Sequence, residues 1–160
     1  MNRDLGNQNA RISLEINQER YEREVLASDL LLDVLRKIGF TGAKPGCLNG
    51  DCGACTVIMG KQPMKSCLVL AIEANDTEII TIEGLHKTPI QQAFVEHFAF
   101  QCGYCTPGFI MNATALLLND NDPTPEKIKT WLSSNICRCT GYKEIEEAVH
   151  SAIHNLKFNE

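Results

Sequence analysis

The sequence has no apolar run approaching the roughly 20 residues that cross a bilayer. Its first eleven residues, MNRDLGNQNAR, also lack the apolar core of a secretory signal. The chain is therefore expected to be cytoplasmic, with no membrane span. Positive charge is scarce: 15 Lys and Arg stand against 20 Asp and Glu, a formal net charge of −5. With no basic face along the chain, a nucleic-acid partner is excluded. Aromatic residues make up only 6%, with a single Trp, yet a hydrophobic share of 44% marks the chain as globular rather than disordered. A nucleophile with a matching base is missing, and so is a glycine motif for a hydride-accepting cofactor. The chain holds no complete active site.

Cysteine is what it has in quantity. All eight cysteines lie between 47 and 139, in two groups of four: Cys47, Cys52, Cys55, Cys67, then Cys102, Cys105, Cys137, Cys139. None is left over. In a reducing compartment clustered thiols bind metal rather than pair as disulfides. The first group has the spacing C-x4-C-x2-C with a distant fourth Cys, the plant-type pattern for a [2Fe–2S] cluster. Two bridged irons need four thiolates, and one tight loop delivers three only by curling around the cluster. Gly46, Gly50 and Gly53 permit that curl and leave amide N–H groups to point at the sulfurs.

At 160 residues the chain suits one ordinary domain or two small ones, and the cysteine grouping favours two. Residues 1–10 are polar and expected to be frayed or partner-bound. Ile12, Leu14 and Ile16 alternate with polar residues as in a half-buried strand, Asn17-Gln18 can turn the chain, and a second strand is expected over 21–25. Ser28 can cap a helix with apolar positions Leu31, Val34, Leu35 and Ile38, ended by Gly39 and Gly42. After the cysteine loop come expected strands over 56–59, 64–66 and 78–82, with a Gly60-Lys61 turn between the first two. This order predicts a β-grasp, a small sheet packed on one helix, over 11–84.

Beyond Gly84 the strand pattern stops, and an all-α four-helix domain is expected over 85–160. Thr88-Pro89, Thr106-Pro107 and Thr124-Pro125 each place a capping hydroxyl before a proline, and Thr140 can cap a fourth helix. Apolar residues recur at helical spacing after each start, as in Ile90, Ala93, Phe94 and Phe98 or in Ile145, Ala148, Val149 and Ala152. Cys105 precedes Thr106 and Cys139 precedes Thr140, so helix N-termini would face these thiolates and stabilise a negative cluster. The overall expectation is an α+β chain, with a plant-type ferredoxin domain followed by a four-helix domain that binds a second [2Fe–2S] cluster.

Taken together, QCGYCTPGFIM and NICRCTGY with the first loop resemble the small iron–sulfur subunit of the molybdenum hydroxylases, the family of xanthine dehydrogenase, aldehyde oxidoreductase and carbon monoxide dehydrogenase. The resemblance spans residues 11–156 without departure at a cysteine. It implies a non-catalytic electron-transfer subunit of an oxidoreductase, with a large molybdenum–pterin catalytic subunit and a medium FAD-binding subunit as partners. Electrons would pass singly from molybdenum to the cluster of Cys102, Cys105, Cys137 and Cys139. The cluster of Cys47, Cys52, Cys55 and Cys67 would follow, and then FAD. By the same resemblance, Gln101 hydrogen-bonds the pterin and Cys139 lies closest to it.

Other readings compete. A free-standing ferredoxin-like carrier needs only one cluster, whereas this chain adds a second domain. A zinc-stabilised interaction module would also use C-x2-C pairs. His150 and His154 are four apart but have no third ligand, and His86 and His97 do not neighbour cysteines as Rieske ligands would. Trp131 is expected in the core, and Phe94, Phe98, Phe100 and Phe109 are expected to shield the second cysteine set from water. Arg138 either offsets cluster charge or faces solvent, and the NDND run at 119–122 is expected to be a solvated loop.

Overall fold

The computed structural model describes residues 9–158, with side chains through residue 156, so residues 1–8 and the expectation of fraying there lie outside the described residues. Strands β1 (Asn9–Ile16) and β2 (Glu19–Leu26) form the opening hairpin. Asn17 and Gln18 turn it at positive φ, 52° and 70°, a backbone twist that matches the strands. Helix α1 (Leu31–Ile38) crosses the sheet, followed by the first cysteine loop, β3 (Thr56–Met59), β4 (Gln62–Lys65) and β5 (Glu78–Ile80). The sheet order is β2-β1-β5-β3-β4, with β1 and β5 parallel and the other neighbours antiparallel. Ile12, Leu14 and Ile16 point the same way and bury against Leu31, Leu32 and Leu35 of α1, with Val57 and Ile79 filling the layer. The alternation in β1 therefore produces the core that fixes α1, and α1 positions the loop after it.

Four helices follow: α2 (Pro89–Glu96), α3 (Thr106–Asn119), α4 (Pro125–Leu132) and α5 (Lys143–Phe158). Their core joins Ile90, Phe94, Phe109, Leu116, Ile128, Ile145, Val149 and Ile153. α3 carries apolar residues on two faces. Phe109, Ala113 and Leu116 belong to this core, while Met111 and Ala115 pack with Ile58 of β3 and with Ile80, Ile82 and Leu85. A largely buried helix with two apolar faces joins sheet and bundle into one packed body.

Several local expectations are corrected. Ser28 does not cap α1: the residue before the helix is Leu30, with no side-chain cap bond, and Asp29 Oδ2 accepts instead from Leu26 N–H. Thr88 and Thr124 do cap, accepting from Gln91 and Lys127 N–H. Thr106 does not, because α3 begins on it after Cys105, and its hydroxyl is buried without a partner. Nor does Thr140, since α5 begins at Lys143 and the Thr140 hydroxyl accepts from Tyr142 N–H at 3.4 Å. Residue 66 lies in a 3-10 turn (Ser66–Leu68) rather than in a strand, and β5 ends at Ile80 before another such turn (Ile82–Gly84).

Trp131 is only partly buried, with its indole N–H donating to Asn112 O at 2.9 Å. Phe94 and Phe109 are buried as expected, but Phe98 is 77% and Phe100 40% exposed, so they do not shield thiols. Phe98 sits at φ 50°, where the chain turns sharply out of α2 and throws the ring outward.

One glycine shows how tightly the two halves meet. A Cβ on Gly108, in the first turns of α3, would lie 2.2 Å from the Gly53 carbonyl oxygen and 3.0 Å from Asn135 Nδ2. The backbone cannot yield there without moving the cysteine loop. Gly108→Ala is expected to destabilise the chain by about 1–3 kcal/mol despite the better helix former. Denaturant unfolding of the two proteins measures this.

Candidate metal centres

The first cysteine loop leaves α1 and is closed at its base by Lys44 N–H donating to Ala54 O at 2.9 Å. Within it, Cys47 N–H donates to Cys52 Sγ and Cys52 N–H to Cys47 Sγ, each at 3.3 Å. The tightness requires Gly46, where a Cβ would sit 2.5 Å from Cys52 Sγ. Burial raises the Cys47 thiol, but the N–H groups of Asn49, Cys52 and Asp51 and the Cys52 thiol outweigh it and bring it down to about 7. The amides therefore do aim at sulfur, with Gly50 N–H directed at Cys67. Cys67 arrives because the turn that carries it is pinned to Cys55: Ser66 N–H and Oγ–H both donate to Cys55 O, at 3.3 and 2.7 Å. Burial, then the neighbouring Cys55 thiol, pushes Cys67 up to about 11.

The second group meets at the start of α3. Cys105 is the residue before that helix, half-buried, and burial followed by its contact with Cys137 pushes its thiol up to about 12. Cys137 is buried, and its sulfur accepts from Thr140 N–H at 3.4 Å. That bond and the Thr140 hydroxyl outweigh burial and lower the Cys137 thiol. Cys102 and Cys139 are exposed and hydrogen-bonded to each other. Cys105 stands at the start of α3, yet burial and the Cys137 thiol raise its thiol, whereas Cys139 lies well before α5 and the Cys102 thiol raises it.

Between the two groups runs a seam of hydrogen bonds that spacing alone does not reveal. Ile136 N–H, one residue before Cys137, donates to Cys52 O at 3.0 Å, and Asn135 Nδ2 donates to Gly53 O at 3.1 Å. Asn135 is buried, and its Oδ1 accepts from Asn112 Nδ2 at 3.0 Å. Lys65 Nζ donates to Ser134 O at 2.7 Å, and on the opposite side Tyr104 O–H donates to Pro45 O at 2.9 Å. Each cysteine motif is therefore braced by residues flanking the other. Asn112, Ser134, Asn135, Tyr104 and Lys65 escaped the sequence reading because each acts on a residue far away in the chain. The proximity of Asn135 to Cys137 was the one available hint.

The thiols meet in four pairs, Cys47 with Cys52, Cys55 with Cys67, Cys102 with Cys139, and Cys105 with Cys137. All eight are free of disulfides. Among the described residues no three Cys, His, Asp or Glu side chains converge on a single ion. A two-iron cluster takes four thiolates spread over two metals. The donor set, with its inward N–H groups and close backbone at Gly46, fits the cluster. His150 and His154 are exposed on α5, His86 is exposed and His97 partly so. Gln101 is exposed beside Cys102, and Arg138 faces solvent between its two cysteines. No helix among the described residues is long and apolar enough to cross a membrane.

Comparison with known proteins agrees with this architecture. Residues 14–78 match the family described as 2Fe-2S iron-sulfur cluster binding domain, and residues 81–150 match the [2Fe-2S] binding domain family. The nicotinate dehydrogenase small FeS subunit of Eubacterium barkeri is 46% identical over 89% of this chain and 94% of its own length. The nicotine 6-hydroxylase small subunit of Paenarthrobacter nicotinovorans is 46% identical over 88% of each chain. In solved structures, quinoline 2-oxidoreductase from Pseudomonas putida 86 superposes with a TM-score of 0.88 at 37% identity, covering 95% of this chain and 98% of the matched one. The aldehyde oxidoreductase of Desulfovibrio gigas gives 0.89 at 38% identity, covering 94% of this chain but 18% of that longer polypeptide. With two cluster-binding domains in the same order and relatives matched over nearly their whole length, the chain belongs to the small iron–sulfur, electron-transfer subunits of the molybdenum hydroxylases.

Proposed function

We propose that this chain is an obligate relay subunit of a cytoplasmic heteromeric hydroxylase, built as two modules over 11–84 and 85–160. In this reading Cys47, Cys52, Cys55 and Cys67 hold one [2Fe–2S] cluster, and Cys102, Cys105, Cys137 and Cys139 hold the other. When bound, the two clusters supply one-electron chemistry between a molybdenum–pterin centre in a large subunit and FAD in a medium subunit. The observation that carries the reading is the seam: two thiol quartets fixed to each other by the Ile136–Cys52 and Asn135–Gly53 hydrogen bonds. A structural zinc module has no use for such registration, and a mobile carrier has no use for a second quartet.

The residues divide the work. Inward N–H groups of the first loop stabilise negative charge on sulfur. Buried Cys55, Cys67 and Cys137 keep one side of each site dry, while exposed Cys47, Cys102 and Cys139 leave the other side open to partner subunits. Gln101 and Cys139, both exposed, are placed at the pterin side by analogy with the family.

Anaerobic purification from the native host tests the proposal. The expected preparation is brown, contains acid-labile sulfide, shows two distinct EPR signals on reduction, and carries a large molybdenum subunit. Recovery of the chain alone, active as a soluble carrier, overturns the relay reading.

A further inference from the structure

Lys65 places a cation beside the first thiol quartet, and the function described so far leaves its charge unused. It ends β4, two residues before Cys67, and its Nζ crosses the seam to Ser134 O at 2.7 Å. A Cβ on Gly53, between Cys52 and Cys55, would come within 2.8 Å of that Nζ. The ammonium therefore lies directly over the cysteine loop. Among the described residues, no carboxylate forms an ion pair with it. Burial lowers the pKa of the Lys65 ammonium, and the groups that pull it part of the way back are the thiols of Cys55, Cys52, Cys67 and Cys47.

Lys44, the lysine nearest the second quartet, is placed differently. It is attracted first by the Glu83 carboxylate and only weakly by Cys105, so much of its charge is already spent.

Resting on the cluster reading above, we propose that Lys65 is a positioning residue that raises the reduction potential of the first-loop cluster by placing an uncompensated positive charge against it. A one-electron reduction adds one negative charge to the cluster, and a fixed neighbouring cation favours the state with more negative charge. Partial burial removes the water that would otherwise screen the pair. The bond to Ser134 O holds the cation in place. The effect is selective, because the thiolates facing Nζ all belong to the first quartet.

The test is EPR-monitored redox titration of the full complex, purified anaerobically, comparing wild type with Lys65→Gln and Lys65→Arg. Gln keeps a donor for Ser134 O but removes the charge, and Arg keeps the charge. Lys65→Gln is expected to lower the reduced-to-oxidised ratio of the plant-type cluster about tenfold at a fixed ambient potential, equivalent to 59 mV for a one-electron couple. The other signal should stay in place, and Arg should restore wild-type behaviour. An unmoved plant-type signal in Lys65→Gln, with iron content intact, overturns the proposal and leaves Lys65 as a mere tether. Equal shifts in both signals also overturn it, since they report a displaced seam. Absence of iron from the wild type overturns the cluster reading itself.

Discussion

Cys105→Ser is expected to erase the EPR signal of the helical-module cluster, halve the iron and sulfide content, and leave the plant-type signal intact. Cys105 is half-buried at the start of α3, and the thiols acting on it are those of Cys137 and Cys102, so its loss empties one quartet only. A serine hydroxyl of the same length preserves packing but is a far poorer iron ligand at neutral pH, since the thiolate is what binds. Even outer partners of metal ligands are worth 10–100-fold, so substrate-driven reduction of flavin should fall by more than about 100-fold. Reduction of the surviving cluster by dithionite should be unaffected. Rapid-mixing spectroscopy of the complex with substrate, alongside EPR of the dithionite-reduced sample, measures both. Loss of the plant-type signal with survival of the other would reverse the assignment of the quartets.

The selectivity expected of that variant depends on features the sequence displayed and on others it did not. The C-x4-C-x2-C loop was legible because its chemistry is local: three ligands, three glycines and the amides that face sulfur lie within ten residues of one another. β1 was legible because burial of Ile12, Leu14 and Ile16 has period two whatever covers them. Thr88 and Thr124 were legible because a cap needs only its own first turn. Thr106 had the same Thr-Pro signature, but the approach of α3 to Gly53 starts the helix one residue earlier and buries the hydroxyl instead. Tertiary packing there overrides a cap worth about 1 kcal/mol. Phe98 had helical spacing, but a turn at positive φ ejects it from the face. The seam was illegible altogether. Nothing in NICRC announces that Asn135 and Ile136 will bond the carbonyls of Gly53 and Cys52.

That seam also bears on what cluster loss does to the fold. Cys55 and Cys67 belong to the first hydrophobic core and Cys137 to the second, so the ligands are structural members as well as metal donors. Each quartet joins segments otherwise held by few bonds. Cys67 rides on a three-residue turn, and residues 137–142 form an irregular stretch between α4 and α5. Bound metal contributes directly to folding in modules of this size. A loss of only about 3 kcal/mol would lower the thermal midpoint of a packed body of 160 residues by about 6–12 °C. Stripping iron with chelator and reductant should therefore lower the midpoint at neutral pH by that order.

The cluster-free chain should also show a pH dependence different in shape from that of the loaded chain. Its Cys67 and Cys105 thiols are pushed up to about 11 and about 12 from an ordinary 9.0, so the neutral form is favoured when folded. Their contribution is complete below about pH 9 and is lost as pH rises towards 11 and 12. Cys47, brought down to about 7, acts in the opposite sense, adding stability as pH climbs from about 7 to 9. Thiol-linked stability of the stripped chain should thus peak near pH 9 and fall above it. Ligation to iron holds all eight as thiolates in the loaded fold while the unfolded chain binds protons on them below about pH 9, so the loaded chain should gain stability steadily from pH 7 to 9 and show no thiol-linked fall above that. Calorimetry of stripped and loaded chains across pH 7–11 distinguishes them, and parallel pH profiles would show that the eight thiols are not ligated in the loaded form.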